Sequence, residues 1–245
     1  MNPEIIFEND EILVINKPAG LIVHSDGRTK EKSVAEWVVQ RYPGLAEVGE
    51  AWVSPQGETV PRPGVVHRLD RTTSGVMVIA KTQTAYEFLK EQFQNRSVKK
   101  TYQAFVYGHM KTDTGIIEAE IVRIRSTPPR WGVKRAGEKD KKHRHAITEW
   151  RVLMRGADPE LNEAVSLLEV MPKTGRTHQI RVHLKAVNHP IVCDPLYATG
   201  KPCLLGFSRP ALHARFITIT LQPGKQKTFE ASLPEDFLRA EKEMK

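Results

Sequence analysis

Four side chains able to do acid, base or ion-pair chemistry crowd the string HRLDRTTSG, residues 67–75: His67, Arg68, Asp70 and Arg71. A carboxylate set between two guanidinium groups is held ionised by opposite charge and by charge-assisted hydrogen bonds. An aspartate prepared in this way can serve as a nucleophile or a general base. Short β-branched runs flank the string, Val65-Val66 before it and Val76 to Ile79 after it, which is the pattern of a strand, a polar turn and a second strand. Taken alone, a His-x-x-Asp group between strands is more often a turn tied by local ion pairs than an active site.

Two further stretches carry chemistry. In VKKTYQAFVYGHM, an alternating strand pattern, Tyr102 follows two lysines and by itself reads as half-buried sheet filler. Residues 173–184, KTGRTHQIRVHL, place Ile180, Leu184 and Val187 at helical spacing toward a core, with His178, Arg181 and Lys185 on another face. His178 and His183 are five apart, off the single-face spacing of a helical metal pair, so no metal site is expected.

HRLDRTTSG preceded by RPGVV resembles the central motif of the RluA family of pseudouridine synthases, enzymes that convert uridine in RNA to its carbon-linked isomer. ILVINKPAGLIVHS resembles the family's opening motif, KKTYQAFVYG its second and residues 173–184 its third. HPIVCDPLY and the tail from Ser208 resemble its closing region, so the likeness runs from about Ile5 to Phe237. It implies one α+β catalytic domain over 1–245 with the pseudouridine synthase fold, a mostly antiparallel sheet bent around a central cleft with flanking helices. It implies Asp70 as the catalytic carboxylate, Tyr102 against the target base and Arg181 as the ion-pair partner of Asp70, with Arg68 filling the place of a flipped-out uridine. His67, Arg71, Arg176 and His178 join Arg68 as expected substrate contacts. The reaction redistributes bonds within one nucleoside, so no cofactor and no metal are expected.

The implied partner is RNA, ribosomal or transfer, with no membrane, no obligate protein partner and a monomeric state. Many family members carry a small RNA-binding domain ahead of the catalytic one, and no residues remain here for it. Substrate choice then falls to the loops of the catalytic domain. Two rival functions are an inactive RNA-binding protein of the same fold and a metal-dependent hydrolase using His67, Asp70, His178 and His183; the intact set of Asp70, Tyr102 and Arg181 disfavours the first.

The elements that must position these residues are legible in outline. Ile5 to Phe7 and Ile12 to Ile15 form a hairpin-like pair, and Asn16 to Gly20 breaks its second strand, with Lys17 read as contacting backbone rather than reacting. Ser33 and Glu36 make a capping box for a helix to about Arg41, Thr84 and Glu87 another for a helix ending at Asn95. The proline- and glycine-rich segment 43–63 reads as a loop. Residues 116–124, 146–153 and 165–170 read as strands, the first two joined by a basic connection that includes Lys141 and Lys142 as expected RNA contacts, with Trp131 among the charges to stack on a base. Asp194 and Tyr197 read as fixing a turn, and His213 as a core histidine.

The formal net charge of +8 makes the surface attractive to polyanions. The start, MNPEIIFENDE, lacks a basic, apolar leader pattern, so a cytoplasmic protein is expected. Cys193 and Cys203 lack CxxC spacing and are expected as free thiols.

Overall fold

The computed structural model describes residues 2–25, 31–53, 57, 59–124, 126, 129–134, 137 and 143–244. In chain order the elements are β1 (Glu4–Glu8), β2 (Ile12–Lys17), α1 (Val34–Arg41), β3 (Trp52–Val53), β4 (Thr59–Val60), β5 (Ser74–Ala80), α2 (Gln83–Gln94), β6 (Lys99–Tyr107), β7 (Thr114–Ile124), β8 (Arg130–Val133), β9 (His143–Ala157), β10 (Ala164–Pro172), α3 (Gln179–Ala186), β11 (Leu212–Gln222), β12 (Lys225–Glu230) and α4 (Glu235–Glu243). They fall into two compact units, Met1–Lys99 with Ala214–Ser232, and Lys100–His213 with Leu233–Lys245. Each combines a mostly antiparallel sheet with helices, the α+β class expected.

In the first unit the strand order is β1-β2-β5-β11, with β12 paired to β11. β5 reads SGVMVIA and is buried along its whole length, as suits a central strand covered on both faces. Its register against β2 sets Asn16 opposite Val76 and Lys17 opposite Gly75, so the lysine of the opening motif lies beside the end of the central one. Gly75 has φ +120°, and a Cβ there would stand 2.2 Å from the carbonyl oxygen of Ala214, so only glycine lets the strands approach. The predicted strand at Val65-Val66 reduces to a single bridge, Val65 to Ile79, and 67–73 are irregular with a turn at Arg71-Thr72. The capping box of α1 is present, with Ser33 Oγ accepting from Glu36 N at 3.1 Å and Glu36 Oε2 accepting from Ser33 N at 2.9 Å. The cap of α2 is Thr82, not Thr84: it holds extended backbone directly after β5 and its hydroxyl accepts from Ala85 N.

In the second unit the order is β6-β10-β9-β7-β8. Its core gathers Phe105, Phe207 and Phe237 with ring centroids 5.3–5.4 Å apart, under α4 and the apolar positions of β6 and β10. β8 lies within the basic connection that the sequence leaves as a loop, and pairs with β7 so that Trp131 faces Arg123. Charge hid this strand, since four residues, RWGV, show no alternation.

The cysteines depart from expectation: Cys193 and Cys203 are disulfide-bonded, with Cα atoms 4.5 Å apart. Successive turns, Ala198 N to Asp194 O and Lys201 N to Ala198 O, fold the segment back on itself. The Tyr107 hydroxyl ties both ends, accepting from Cys193 N and donating to Pro202 O. Motif spacing cannot register a closure made by a tyrosine so far away in the chain.

Candidate active site

Asp70 sits half-buried in a tight turn, its carbonyl accepting from Thr73 N at 3.1 Å, while the neighbouring Leu69 is buried and anchors the turn. Arg68 and Arg71 are exposed on either side. Of the two flanking arginines, Arg71 reaches outward to Glu31, with Nη2 at 2.9 Å and Nη1 at 3.1 Å. Its main chain faces inward instead, and the Arg71 carbonyl accepts from Gly20 N at 2.8 Å.

The same carbonyl meets Lys17, which is wholly buried. The Lys17 ammonium donates to Pro18 O and Leu21 O, both at 2.8 Å, and to Arg71 O at 3.2 Å. Lys17 is therefore backbone-contacting, as its motif suggested, and it joins the opening turn to the segment just after Asp70. Lys17→Met removes a charged donor from three buried or half-buried carbonyls and should lower unfolding free energy by about 2 kcal/mol or more, read by urea titration. A midpoint at or above wild type would mean that relief of lysine desolvation outweighs the three bonds.

His67, expected among substrate contacts, is taken up by the scaffold. Its Nε2 accepts from Val78 N at 2.9 Å and its ring stacks on Phe93 at 4.6 Å.

In the second unit Arg181 lies on α3, with His178 at its N-terminal cap and Arg176 just ahead of it. This helix is not the simple basic amphipath of the sequence reading, because Gln179 to Leu184 are all buried. Gln179 and Arg181 are held by a hydrogen-bonded network. Gln179 donates to Ile147 O at 2.9 Å and Thr148 Oγ1 at 3.0 Å, and its Oε1 accepts from Thr174 Oγ1 at 2.6 Å and Arg176 N at 3.0 Å. Arg181 donates Nε to Asp194 Oδ2 at 2.6 Å and Nη2 to Asp194 Oδ1 at 2.8 Å, a two-pronged pair with side chains 4% and 0% exposed. Asp194 also accepts from Leu196 N and Tyr197 N, so it fixes the expected turn and holds the arginine at once. The Tyr197 ring lies under the guanidinium at 5.0 Å. Sequence reading missed this bond because the residues are 13 apart across a helix end and a loop.

Tyr197 reaches further. Its hydroxyl accepts from Trp131 N at 3.1 Å and shares a 2.9 Å hydrogen bond with His178 Nδ1. His178 adopts φ +55° ahead of α3, and the Trp131 ring packs edge-on against it at 4.9 Å. The Trp131 amide and ring edge thus tie β8 to Tyr197 and His178, with the side chain half-buried. Arg176 Nε donates to His145 O at 3.3 Å. Tyr102, on β6 opposite Val170, is half-buried and packs against the unit's core. Lys141 and Lys142 lie outside the described residues. Among the described residues no cluster of three or more His, Cys, Asp or Glu side chains is arranged to hold a metal ion, and no helix is long and apolar enough to cross a membrane.

His183 is wholly buried, Nδ1 at 2.9 Å from Thr148 Oγ1 and Nε2 with no hydrogen-bond partner among the described residues. Burial pulls its pKa from 6.5 to about 4, so it stays neutral in the folded chain. Between these values the unfolded chain binds the proton and the folded chain does not, so stability falls as pH drops through this window and is unaffected above it. The full loss is roughly 3 kcal/mol at 1.36 kcal/mol per pKa unit. His183→Gln should flatten this part of the pH dependence in urea titrations; an unchanged slope would assign it to other groups.

The family model described as RNA pseudouridylate synthase matches residues 11–186. The chain is 36% identical over 243 residues to a protein of Zymomonas mobilis named ribosomal large subunit pseudouridine synthase D, covering 96% of this chain and 70% of that one. A protein of the same name from Pseudomonas aeruginosa is 37% identical over 247 residues, covering 96% and 69%. Among solved structures, human RNA pseudouridylate synthase domain containing 1 superposes with a TM-score of 0.72 at 24% identity, covering 95% of this chain and 84% of that one.

Proposed function

Because the chain belongs to the RNA pseudouridylate synthase family, RNA isomerases to which its RluA-like motifs also assign it, we propose that it converts specific uridines of structured RNA to pseudouridine with Asp70 as the catalytic carboxylate. Ribosomal RNA is the first candidate substrate, since the bacterial relatives are named for the large ribosomal subunit; transfer RNA is the second. The observation that carries the reading is that Asp70, Tyr102 and Arg181 all fall inside the matched residues 11–186, each in the motif where the family resemblance calls for it.

The chemistry is an isomerisation. The bond from ribose C1′ to uracil N1 breaks, the base turns, C1′ bonds to C5, the C5 proton leaves and N1 gains one. Nothing is oxidised and no group is donated, so the chain's own side chains suffice. Asp70 supplies the nucleophile or base. Arg181, held by Asp194, is the residue that the family resemblance pairs with Asp70. Tyr102 packs against the uracil and lies where the C5 proton departs. A stacked uridine is out of reach, so it is flipped out at a cost of a few kcal/mol, and Arg68 occupies the vacated place. Arg71, Arg176, His178, Lys141 and Lys142 contact the RNA around it, with His67 acting through the turn it fixes. We place the enzyme in the cytoplasm as a monomeric single-domain catalyst.

Purified protein incubated with large-subunit ribosomal RNA tritiated at uridine C5 should release tritium to water, because that hydrogen is lost once C5 joins the ribose. Absence of release with ribosomal and transfer RNA alike would overturn the reading.

A further inference from the structure

Among the described residues Lys100 is a cation that no carboxylate pairs. It lies on β6 two residues before Tyr102, and on a strand that spacing puts both side chains on the same face. Half-buried, its ammonium reaches the start of the loop leading to α3 and donates to Thr174 O at 3.3 Å. An ammonium has three donors, and among the described residues this carbonyl is its one partner. The nearby Lys173, by contrast, is neutralised by Glu149 at 2.6 Å. Burial draws the Lys100 pKa from 10.5 down to about 8 with no opposing charge to raise it.

The surroundings suit an anion. Gly175 follows Thr174, and a Cβ added there would come within 3.8 Å of Lys100 Nζ, so the ammonium lies close to the backbone of a residue that carries no side chain. Arg176 stands next in the loop and brings a second positive charge. A partly desolvated cation is costly until an anion completes it. For a chain that acts on RNA the anion at hand is a phosphodiester, which lysine recognises as a point charge.

We propose that Lys100 binds a backbone phosphate of the RNA beside the uridine that Tyr102 faces. This deepens the function proposed above and rests on it. The site makes Lys100 a substrate-binding residue that fixes the strand next to the reacting base; it takes no part in bond making.

The test compares Lys100→Met, which keeps the length and loses the charge, with Lys100→Arg, which keeps the charge. Binding of a short oligouridylate is followed by fluorescence anisotropy over a series of potassium chloride concentrations. Loss of one phosphate contact should flatten log affinity against log salt by about 0.7 in Lys100→Met, while Lys100→Arg keeps the wild-type slope. In the tritium assay Lys100→Met should raise KM and leave kcat in place. An unchanged slope in Lys100→Met overturns the proposal, and so does a fall in kcat at saturating RNA without a change in slope. If Lys100→Met does not fold, Lys100→Gln is read the same way. Binding does not depend on turnover, so a flattened slope in a protein that releases no tritium would uphold the phosphate site and reject the isomerase reading, and the reverse result would do the opposite.

Discussion

Asp70→Asn is expected to abolish tritium release while RNA binding stays in the wild-type range. The substitution keeps the side chain's size, and the turn retains the bond from the Thr73 amide to the Asp70 main-chain carbonyl and the apolar anchor of Leu69. What is lost is negative charge and nucleophilicity. A positioned acid, base or nucleophile contributes about 10²- to 10⁴-fold, so single-turnover rates should fall by about 10³-fold or more. Turnover near wild type would remove Asp70 from the chemistry, and loss of binding together with turnover would make it a substrate contact.

The second large effect concerns stability. Asp194→Ala should cost about 3–5 kcal/mol in urea unfolding, because it takes a two-pronged carboxylate away from the buried Arg181 guanidinium. It also takes away the acceptor of the Leu196 and Tyr197 amides. Asp194→Asn keeps an oxygen for those amides and should cost less, so the difference between the two variants separates the turn from the charge. A loss below about 1 kcal/mol for Asp194→Ala would show that the guanidinium relaxes to water or to another acceptor, and the pair would no longer count as what orients Arg181.

How much of this was legible in advance follows from which forces are local. The capping box at Ser33, the hairpin at the start and the amphipathic pattern of α2 depend on neighbours in sequence and were readable. The motif strings marked Asp70, Tyr102 and Arg181 as residues of interest. What stayed hidden came from contacts across the fold. The bond from Asp194 to Arg181, the disulfide closed over the Tyr107 hydroxyl, and the burial of α3 on nearly every side leave no periodic trace. Local charge did not tell where each arginine reaches: Arg71, beside Asp70, turns to Glu31, because a long side chain on an exposed turn can reach a nearby acid.

The buried ammonium of Lys17 grips two separate segments by their carbonyls, 18–21 and Arg71, and the Gly20 amide closes the same circuit. Neither segment can open while the other stays shut. Local unfolding around Asp70 is therefore a single cooperative event, and hydrogen exchange at the Gly20 amide reports it from a residue that takes no part in the reaction.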